Sequence, residues 1–417
     1  MSTVISGDNQ ITGPLTVGFG GGQDTASVAV GLNALVANTT GTNNVAVGGG
    51  ALASNVTGGL NTAVGFYALN QNTASNNTAV GLQALRYNTT GTPNTAVGYQ
   101  AMYNTTTATD NVAVGTQAMY TNTIGSGNTA IGDYALNSNV SGGENTAVGL
   151  SALLTNTASY NTAVGRSALR LNTTGYYNTA VGYQALYSNT TATYNTAVGQ
   201  AALYANTIGV ENTAVGAQSL WQVTTGSANT ALGVNAANSL TTGGGNTIIG
   251  DNCQVSAVGG SYQMILGQGI TAIGDNTVNF GKAGNIVYAT FTSAATWTRT
   301  SDVRLKTNIQ DDSLGLDFIN KLRPVTYNWK ASPDVPQELS SYNEENQMDT
   351  EVVMHGLIAQ EVKAALDEVG VDTFEGWSEQ KDGTQAISRE MFITPLINAV
   401  KELAAKVETL EAQLAAK

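Results

Sequence analysis

A pentapeptide of the form Asn-Thr-Ala-Val-Gly returns again and again along this chain. Its glycine falls at positions 48, 65, 81, 98, 115, 132, 149, 165, 182, 199, 216, 233 and 250. The spacing is 17 residues with two steps of 16, and Gly31 and Gly267 extend the series by one step at each end. A unit of this size is too short for a helix pair or a propeller blade. It suits one coil of a parallel β-solenoid, with two short strands and two turns, whose apolar face is buried only when the next coil stacks on it. About fifteen coils at a spacing of about 4.8 Å make a rod of roughly 70 Å. A longer period of 84 residues (Gly65 to Gly149, Gly81 to Gly165, Gly98 to Gly182) points to a duplicated block of five units.

Each position of the unit has a physical reading. The residue four before the glycine is Asn from Asn44 to Asn246, and stacked asparagines can bond amide to amide along a ladder. The residues three and one before it are Thr or Val and Val, Ile or Leu, which places them on one face of a strand. Between them stands Ala, replaced by Ile248, so another layer approaches closely there, from this chain or a second copy. The glycine permits a turn or a close backbone contact. Four residues beyond it comes the core filler, Leu or Met, from Leu52 to Leu220, with Ala237 breaking the row. Asn-Thr-Thr-Gly at 88–91 and 172–175 reads as a closing turn.

Aromatics recur at the variable positions. Tyr87, Tyr103, Tyr120, Tyr187 and Tyr204 are candidate receptor contacts if exposed, because sugar rings stack on such surfaces; packing between coils is the competing reading. The single cysteine, Cys253, reads as a buried small hydrophobe and excludes an internal disulfide framework. The net charge of −13 is placed unevenly, −3 over residues 1–300 and −10 over 301–417. No basic face is available for phosphates, so nucleic acid is not an expected partner. No apolar run reaches the length of a membrane span, and the start of the chain lacks a basic, apolar export signal, so synthesis in a cytosol is expected. No cofactor and no metal are expected.

The character of the chain changes at Thr300–Ser301. From Ser256 to Arg299 the period decays into strand-like segments that read as a neck over 271–300. Beyond it comes a charge-rich region. Its last helix, within 394–417, carries Leu396, Val400, Leu403, Val407, Leu410 and Leu414 at alternating steps of four and three, a coiled-coil seam. Val at one core position and Leu at the other leans toward two strands.

Two resemblances follow from these motifs. The repeat resembles the left-handed β-roll heads of trimeric adhesins and the repeats of phage fibre proteins. The stretches SDVRLKTNI (301–309), LRPVTYNW (322–329), HGLIAQEV (355–362), Asp382-Gly383 and the terminal PLINAVKELAAKVETLEAQL resemble the intramolecular chaperone domain, peptidase family S74, that ends bacteriophage tail spikes and fibres. The polar stretch Ala331–Thr350 departs from that pattern and reads as a loop. The resemblance implies a homotrimer, which overrides the two-stranded preference of so short a seam. It also implies that Ser301 is a nucleophile, Lys306 its general base, and Thr300–Ser301 the bond cut. A lysine acts as a base only when neutral, which needs burial or nearby positive charge. Arg304 is near in sequence, and with Asp302 and Glu361 forms the candidate supporting set. His355, Gln360 and Glu361 read as structural or polar support.

The expected architecture is thus mainly β: an N-terminal attachment or capping segment (1–26), a parallel β-solenoid (27–270), a neck (271–300), and a small α+β chaperone domain (301–417) ending in a coiled coil. The expected function is a viral tail fibre or spike, assembled in the host cytoplasm and carried on the virion. It would bind a host-surface glycan or protein, and other tail proteins through its N-terminus. A polysaccharide-cleaving spike would need two carboxylates a few ångströms apart. Only Asp8, Asp24, Asp110, Asp133, Glu144, Glu211, Asp251 and Asp275 precede residue 300, with no local pairing motif. A cellular adhesin-like or ice-binding solenoid suits the Thr-rich repeat but not the chaperone-like end.

Overall fold

The computed structural model describes residues 17–18, 26–291, 298–299, 301–339 and 341–416. The chain divides into two compact units, Met1–Ser301 and Asp302–Lys417.

In the first unit every repeat motif is a short strand, from Val28–Val30 through Thr62–Val64 and Thr162–Val164 to Thr247–Ile249. Each pairs in parallel with the next in strict motif register, Thr on Thr and Ala on Ala. The result is a parallel solenoid of about fifteen coils at the strand spacing of about 4.8 Å. The Ala of the strand points inward and is buried in every coil from Ala29 to Ala231. It meets two further rows of its own chain: the Leu/Met row, Leu35 to Leu220, and a second alanine row, Ala34 to Ala202. The small strand residue is therefore accounted for within one chain. The Thr and Val positions face outward and stay partly exposed. Where Ala237 leaves the filler row short, Leu240 is buried three residues on.

Two strands per coil were expected, and this is corrected: among the described residues each coil has one. The return path cannot be extended because alternate residues turn left-handed, as Gln83 (φ 59°) and Leu85 (φ 48°) do. Its backbone groups bond coil to coil instead, Leu85 N–H to Ala101 C=O at 3.0 Å. The motif glycine carries a φ that side chains avoid. At Gly98 (φ 136°) an added Cβ would sit 2.4 Å from the carbonyl oxygen of Gly115.

The asparagine ladder forms. The Oδ1 of Asn111 accepts the backbone N–H of Asn128 at 2.9 Å and its Nδ2 at 3.2 Å, while Asn111 Nδ2 donates to the Gly125 carbonyl at 3.0 Å. The ladder starts at Ser27, whose Oγ accepts from Asn44 N–H at 3.0 Å, and ends at Gln263, whose N–H donates to Asn246 Oδ1 at 2.9 Å. A second buried ladder lies seven residues past most of the motif glycines, as in Asn189 Nδ2 to Asn172 Oδ1 (2.8 Å) and Asn206 Nδ2 to Asn189 Oδ1 (3.0 Å).

Both ends of the parallel stack are closed by antiparallel pairing. Val17–Gly18 runs antiparallel to Val30 and Ala29. At the other end parallel pairing continues past residue 270 into the expected neck, as Thr277–Lys282, and Asn285–Thr290 then folds back antiparallel on it. Most of the expected attachment segment, 1–26, lies outside the described residues.

The second unit is small and mixed. Helices α1 (Leu316–Lys321), α2 (Ala359–Val369) and α3 (Ile393–Ala415) surround a core of Leu314, Phe318, Val362, Ala365, Leu366 and Phe392. Phe318, Phe374 and Phe392 form a ring cluster with centroids 5.2–6.2 Å apart. Asn398 of α3 donates to the carbonyls of Asp312 and Leu314 at 3.1 and 3.0 Å, fixing α3 to the segment before α1. Two short antiparallel pairs, Val325–Tyr327 with Met354–Gly356 and Trp377–Glu379 with Gln385–Ile387, complete it. No helix among the described residues is long and apolar enough to cross a membrane.

Candidate functional site

The junction between the units falls at Ser301–Asp302. Ser301 is exposed, and the next residues form one tight turn, Val303–Leu305. Asp302 caps it, accepting the backbone N–H of Arg304 at 2.9 Å. The same carboxylate holds the Arg304 guanidinium through Nε at 3.0 Å and Nη2 at 2.6 Å. That pairing, with the backbone bond, lowers the Asp302 pKa below the usual carboxylate range and raises that of Arg304. Arg304 therefore has its charge matched by Asp302 in the single chain. Lys306 follows the turn, donates its backbone N–H to Val303 C=O, and is exposed. Thr300, the expected residue before the cut, lies outside the described residues.

Glu361 has an arginine partner of its own. It sits in the first turn of α2 and pairs with Arg323, whose Nε donates to it at 3.1 Å and whose Nη2 is closer still. This guanidinium lowers the Glu361 pKa. His355 is exposed and stands opposite Thr326 in the short antiparallel pair. Three apolar side chains around the turn, Val303, Leu305 and Ile309, are 65–74% exposed. Their alternation with charged residues hid them as surface in the sequence.

The seam of α3 is uncovered. Leu396, Val400, Leu403, Val407, Leu410 and Leu414 are all 47–75% exposed. Only Pro395 and Ala399 of this helix are buried.

The expected receptor aromatics form two clusters: Tyr103 stacks on Tyr120 with Tyr87 set edgewise against Tyr103, and Tyr187 stacks on Tyr204. Tyr87, Tyr103 and Tyr120 lie with centroids 5.0 and 5.2 Å apart, and Tyr187 and Tyr204 lie 5.2 Å apart. Each cluster begins at an arginine. Arg86 lies over the rings of Tyr67 and Tyr87, and Arg170 donates to the Tyr187 hydroxyl at 2.9 Å. These five tyrosines are half-buried, because coil-to-coil stacking covers their faces. The bond to Tyr87 and burial raise the Tyr103 pKa, against the lowering influence of Arg86.

A further aromatic group was not singled out in the sequence. Tyr160, Tyr177 and Tyr194 stack at 5.0 and 5.3 Å, with Tyr176 set edgewise against the last two. Each precedes the motif asparagine, or its neighbour, so reading the repeat row by row reveals them.

The acidic residues of the solenoid are spread apart. Asp133 accepts the N–H of Thr116 at 2.7 Å, and Asp275 accepts from Ser261 and Gln263 at 2.8 and 2.7 Å. Asp110, Glu144 and Glu211 share one row but stand two or more coils apart, roughly 10 Å or more between their backbones. Asp8 and Asp24 lie outside the described residues.

No match was found among curated proteins or among solved structures. Residues 301–371 match the model of the peptidase S74 family, described as the chaperone of endosialidase, and a β-solenoid followed by such a domain fits a tail spike or tail fibre.

Proposed function

We propose that the chain is a trimeric viral tail fibre or spike whose solenoid presents a host-binding surface and whose C-terminal unit aligns three copies and is then cut away. The observation that carries this reading is that the chaperone-family match begins at Ser301, where the solenoid unit ends. Two surfaces support assembly. The exposed seam of α3 needs partner helices to bury it. The outward Val, Ile and Leu row of the solenoid carries no charge over its whole length and leaves Ile131, Leu232, Ile249 and Leu266 more than a third exposed. The aromatic set Tyr87, Tyr103, Tyr120, Tyr187 and Tyr204 is a candidate receptor contact, and residues 1–26 are the candidate attachment to the virion.

The cut follows from ordinary acyl-transfer chemistry. Ser301 Oγ attacks the carbonyl carbon of Thr300 while Lys306 takes its proton. The Thr300–Ser301 C–N bond breaks, the proton passes to the freed amine, and an ester joins Thr300 to Ser301 Oγ. Water hydrolyses that ester, leaving a Thr300 carboxylate and a new N-terminus at Ser301. Lys306 must be neutral to act, yet it is exposed in the single chain. The apolar side chains beside it, Val303, Leu305 and Ile309, give a second copy something to bury, and that burial dries the lysine. Cutting then follows assembly.

Mass spectrometry of the expressed protein, native and denatured, tests the reading. The expected result is a trimer whose denatured chains separate after residue 300, with Ser301→Ala and Lys306→Ala remaining whole. A monomer, or a wild type that stays uncut under conditions where it is trimeric, overturns the corresponding half of the proposal.

A further inference from the structure

The solenoid carries an aromatic patch that its fold does not need. The residue five before each motif glycine is left-handed in nearly every coil, including Asn43 (φ 58°), Asn76 (φ 61°), Asp110 (φ 58°), Glu144 (φ 56°) and Glu211 (φ 59°). Asn, Asp and Gly adopt that conformation most readily, and a bulky side chain there is an outlier. Leu60 (φ 61°) and Tyr262 (φ 55°) are single bulky occupants of the row, but in three consecutive coils the position is tyrosine: Tyr160 (φ 62°), Tyr177 (φ 55°) and Tyr194 (φ 60°). A run of unfavourable residues that the framework does not require marks a selected surface.

The internal duplication sharpens the point. One block earlier, at a spacing of 84 residues, the same places hold Asn76, Pro93 and Asp110, and Tyr176 corresponds to Thr92. The arginine–tyrosine row behaves otherwise. Arg86, Tyr103 and Tyr120 return as Arg170, Tyr187 and Tyr204. The fold therefore stands with or without tyrosine at 160, 176, 177 and 194.

The geometry of the patch is open. Tyr160, Tyr177 and Tyr194 are 52, 48 and 52% exposed, and Tyr176 is 42% exposed. Tyr177 has both ring faces covered by its stacking neighbours, so the perpendicular contact of Tyr176 must meet its edge. Tyr176 stands crosswise beside this column and is itself partly exposed. Glu144 and Glu211 occupy the same row one coil before and one coil after the stack. Carboxylates in the row keep it wet in any assembly, because burying them unpaired is costly, so this row is not an intersubunit face.

We propose that Tyr160, Tyr176, Tyr177 and Tyr194 bind an uncharged, hydroxyl-rich polysaccharide. This rests on the adhesin reading above and names the ligand class and the place. Sugar C–H faces stack on the open aromatic surface, and phenol and carboxylate oxygens bond the sugar hydroxyls. Glu144 and Glu211, which share the row of the stack, repel a polyanion, while the arginines of this stretch, Arg166 and Arg170, lie off that row and Arg170 is engaged with the Tyr187 hydroxyl. The period of the row, one ring per coil, suits an extended chain lying along the rod rather than a single small sugar.

The test is retention of the full-length protein on a chip bearing dextran, mannan and galactomannan beside hyaluronate and polygalacturonate. The variants are Tyr176→Ala and the triple change Tyr160→Asn, Tyr177→Asn, Tyr194→Asn, which installs the residue that the row uses elsewhere and so preserves the left-handed backbone. Wild type should bind at least one neutral polymer and neither polyanion. The triple variant should bind at least about tenfold more weakly with no loss of thermal stability. Failure to bind any of the three neutral polymers, equal binding to the polyanions, or an unaffected triple variant each overturns the proposal. Binding that disappears instead with Tyr103→Ala or Tyr187→Ala sinks this patch and leaves the adhesin reading standing.

Discussion

Leu85 donates its backbone N–H to the carbonyl of Ala101 in the next coil at 3.0 Å while holding a φ of 48°. The same residue is fully buried. The left-handed backbone turns the leucine inward, and its burial offsets the conformational cost, about 2 kcal/mol on each side. Shape at Cβ therefore matters here as much as size. Leu85→Met should be nearly neutral, as Met102 and Met119 fill the same row. Leu85→Ile conserves volume but puts a β-branch in the left-handed region, and should cost about 2–3 kcal/mol. Urea unfolding followed by tyrosine fluorescence checks this; an isoleucine variant as stable as wild type would refute the strain argument.

The second asparagine ladder has gaps, and they can be filled. Asn88 Oδ1 and Thr105 Oγ1 are both buried without a hydrogen-bond partner, and Thr105 occupies the rung where its neighbours carry asparagine. Thr105→Asn should give Asn88 its donor and Asn122 an acceptor, raising stability by about 1–2 kcal/mol. Asn128→Ala, in the other ladder, removes the acceptor of Asn145 N–H (3.0 Å) and should cost about 1–3 kcal/mol. Thermal melts of the two variants must move in opposite directions.

Acid should loosen the C-terminal unit in a defined window. Arg304 and Arg323 hold Asp302 and Glu361 below their ordinary pKa values. A carboxyl whose folded pKa is depressed contributes stability above the unfolded value, and loses it as pH falls through the folded one. The contribution should thus be intact at neutral pH and vanish below the usual carboxylate range. Carboxyl NMR titration should find Glu361 titrating low in wild type and returning upward in Arg323→Gln. A Glu361 that titrates identically in both removes this coupling.

The seam of α3 predicts assembly by substitution. Leu403 and Val407 are 48 and 50% exposed in the single chain, so Leu403→Glu or Val407→Glu leaves its fold intact. In a bundle each carboxylate would be desolvated at the centre, at several kcal/mol per chain. Sedimentation should show the oligomer of the wild type lost and the far-ultraviolet helix signal kept. Unchanged sedimentation would place the contact elsewhere.

What could be read from the sequence was what repeats. The inward alanine, the Leu/Met filler and the motif glycine each sit at a fixed phase, and side-chain periodicity alone assigns them. The left-handed conformation of Leu85 left no mark, because leucine is not a residue that signals it; only stacked neighbours enforce it. The ladder through Asn172, Asn189 and Asn206 was hidden because asparagine is also the commonest turn residue, and the stretch 172–175 read as a turn alone. At the junction the sequence located Ser301 and Lys306, but the capture of Arg304 by Asp302 depends on one local turn. Tyr160, Tyr177 and Tyr194 are far apart in the sequence, and only the stacking of coils brings their rings together.

The two 16-residue coils, Gly65 to Gly81 and Gly149 to Gly165, interrupt an otherwise uniform pitch. The second asparagine ladder breaks there, leaving Asn55 and Asn139 with unpaired Oδ1 atoms. Slide one copy past another by a single coil, and short meets long at both places. A slide of five coils matches one short coil with the other but still sets the remaining one against a long coil, and it strands a third of the rod without a neighbour. The irregular coils thus act as graduation marks on a ruler, letting a nearly featureless thread tell one offset from another.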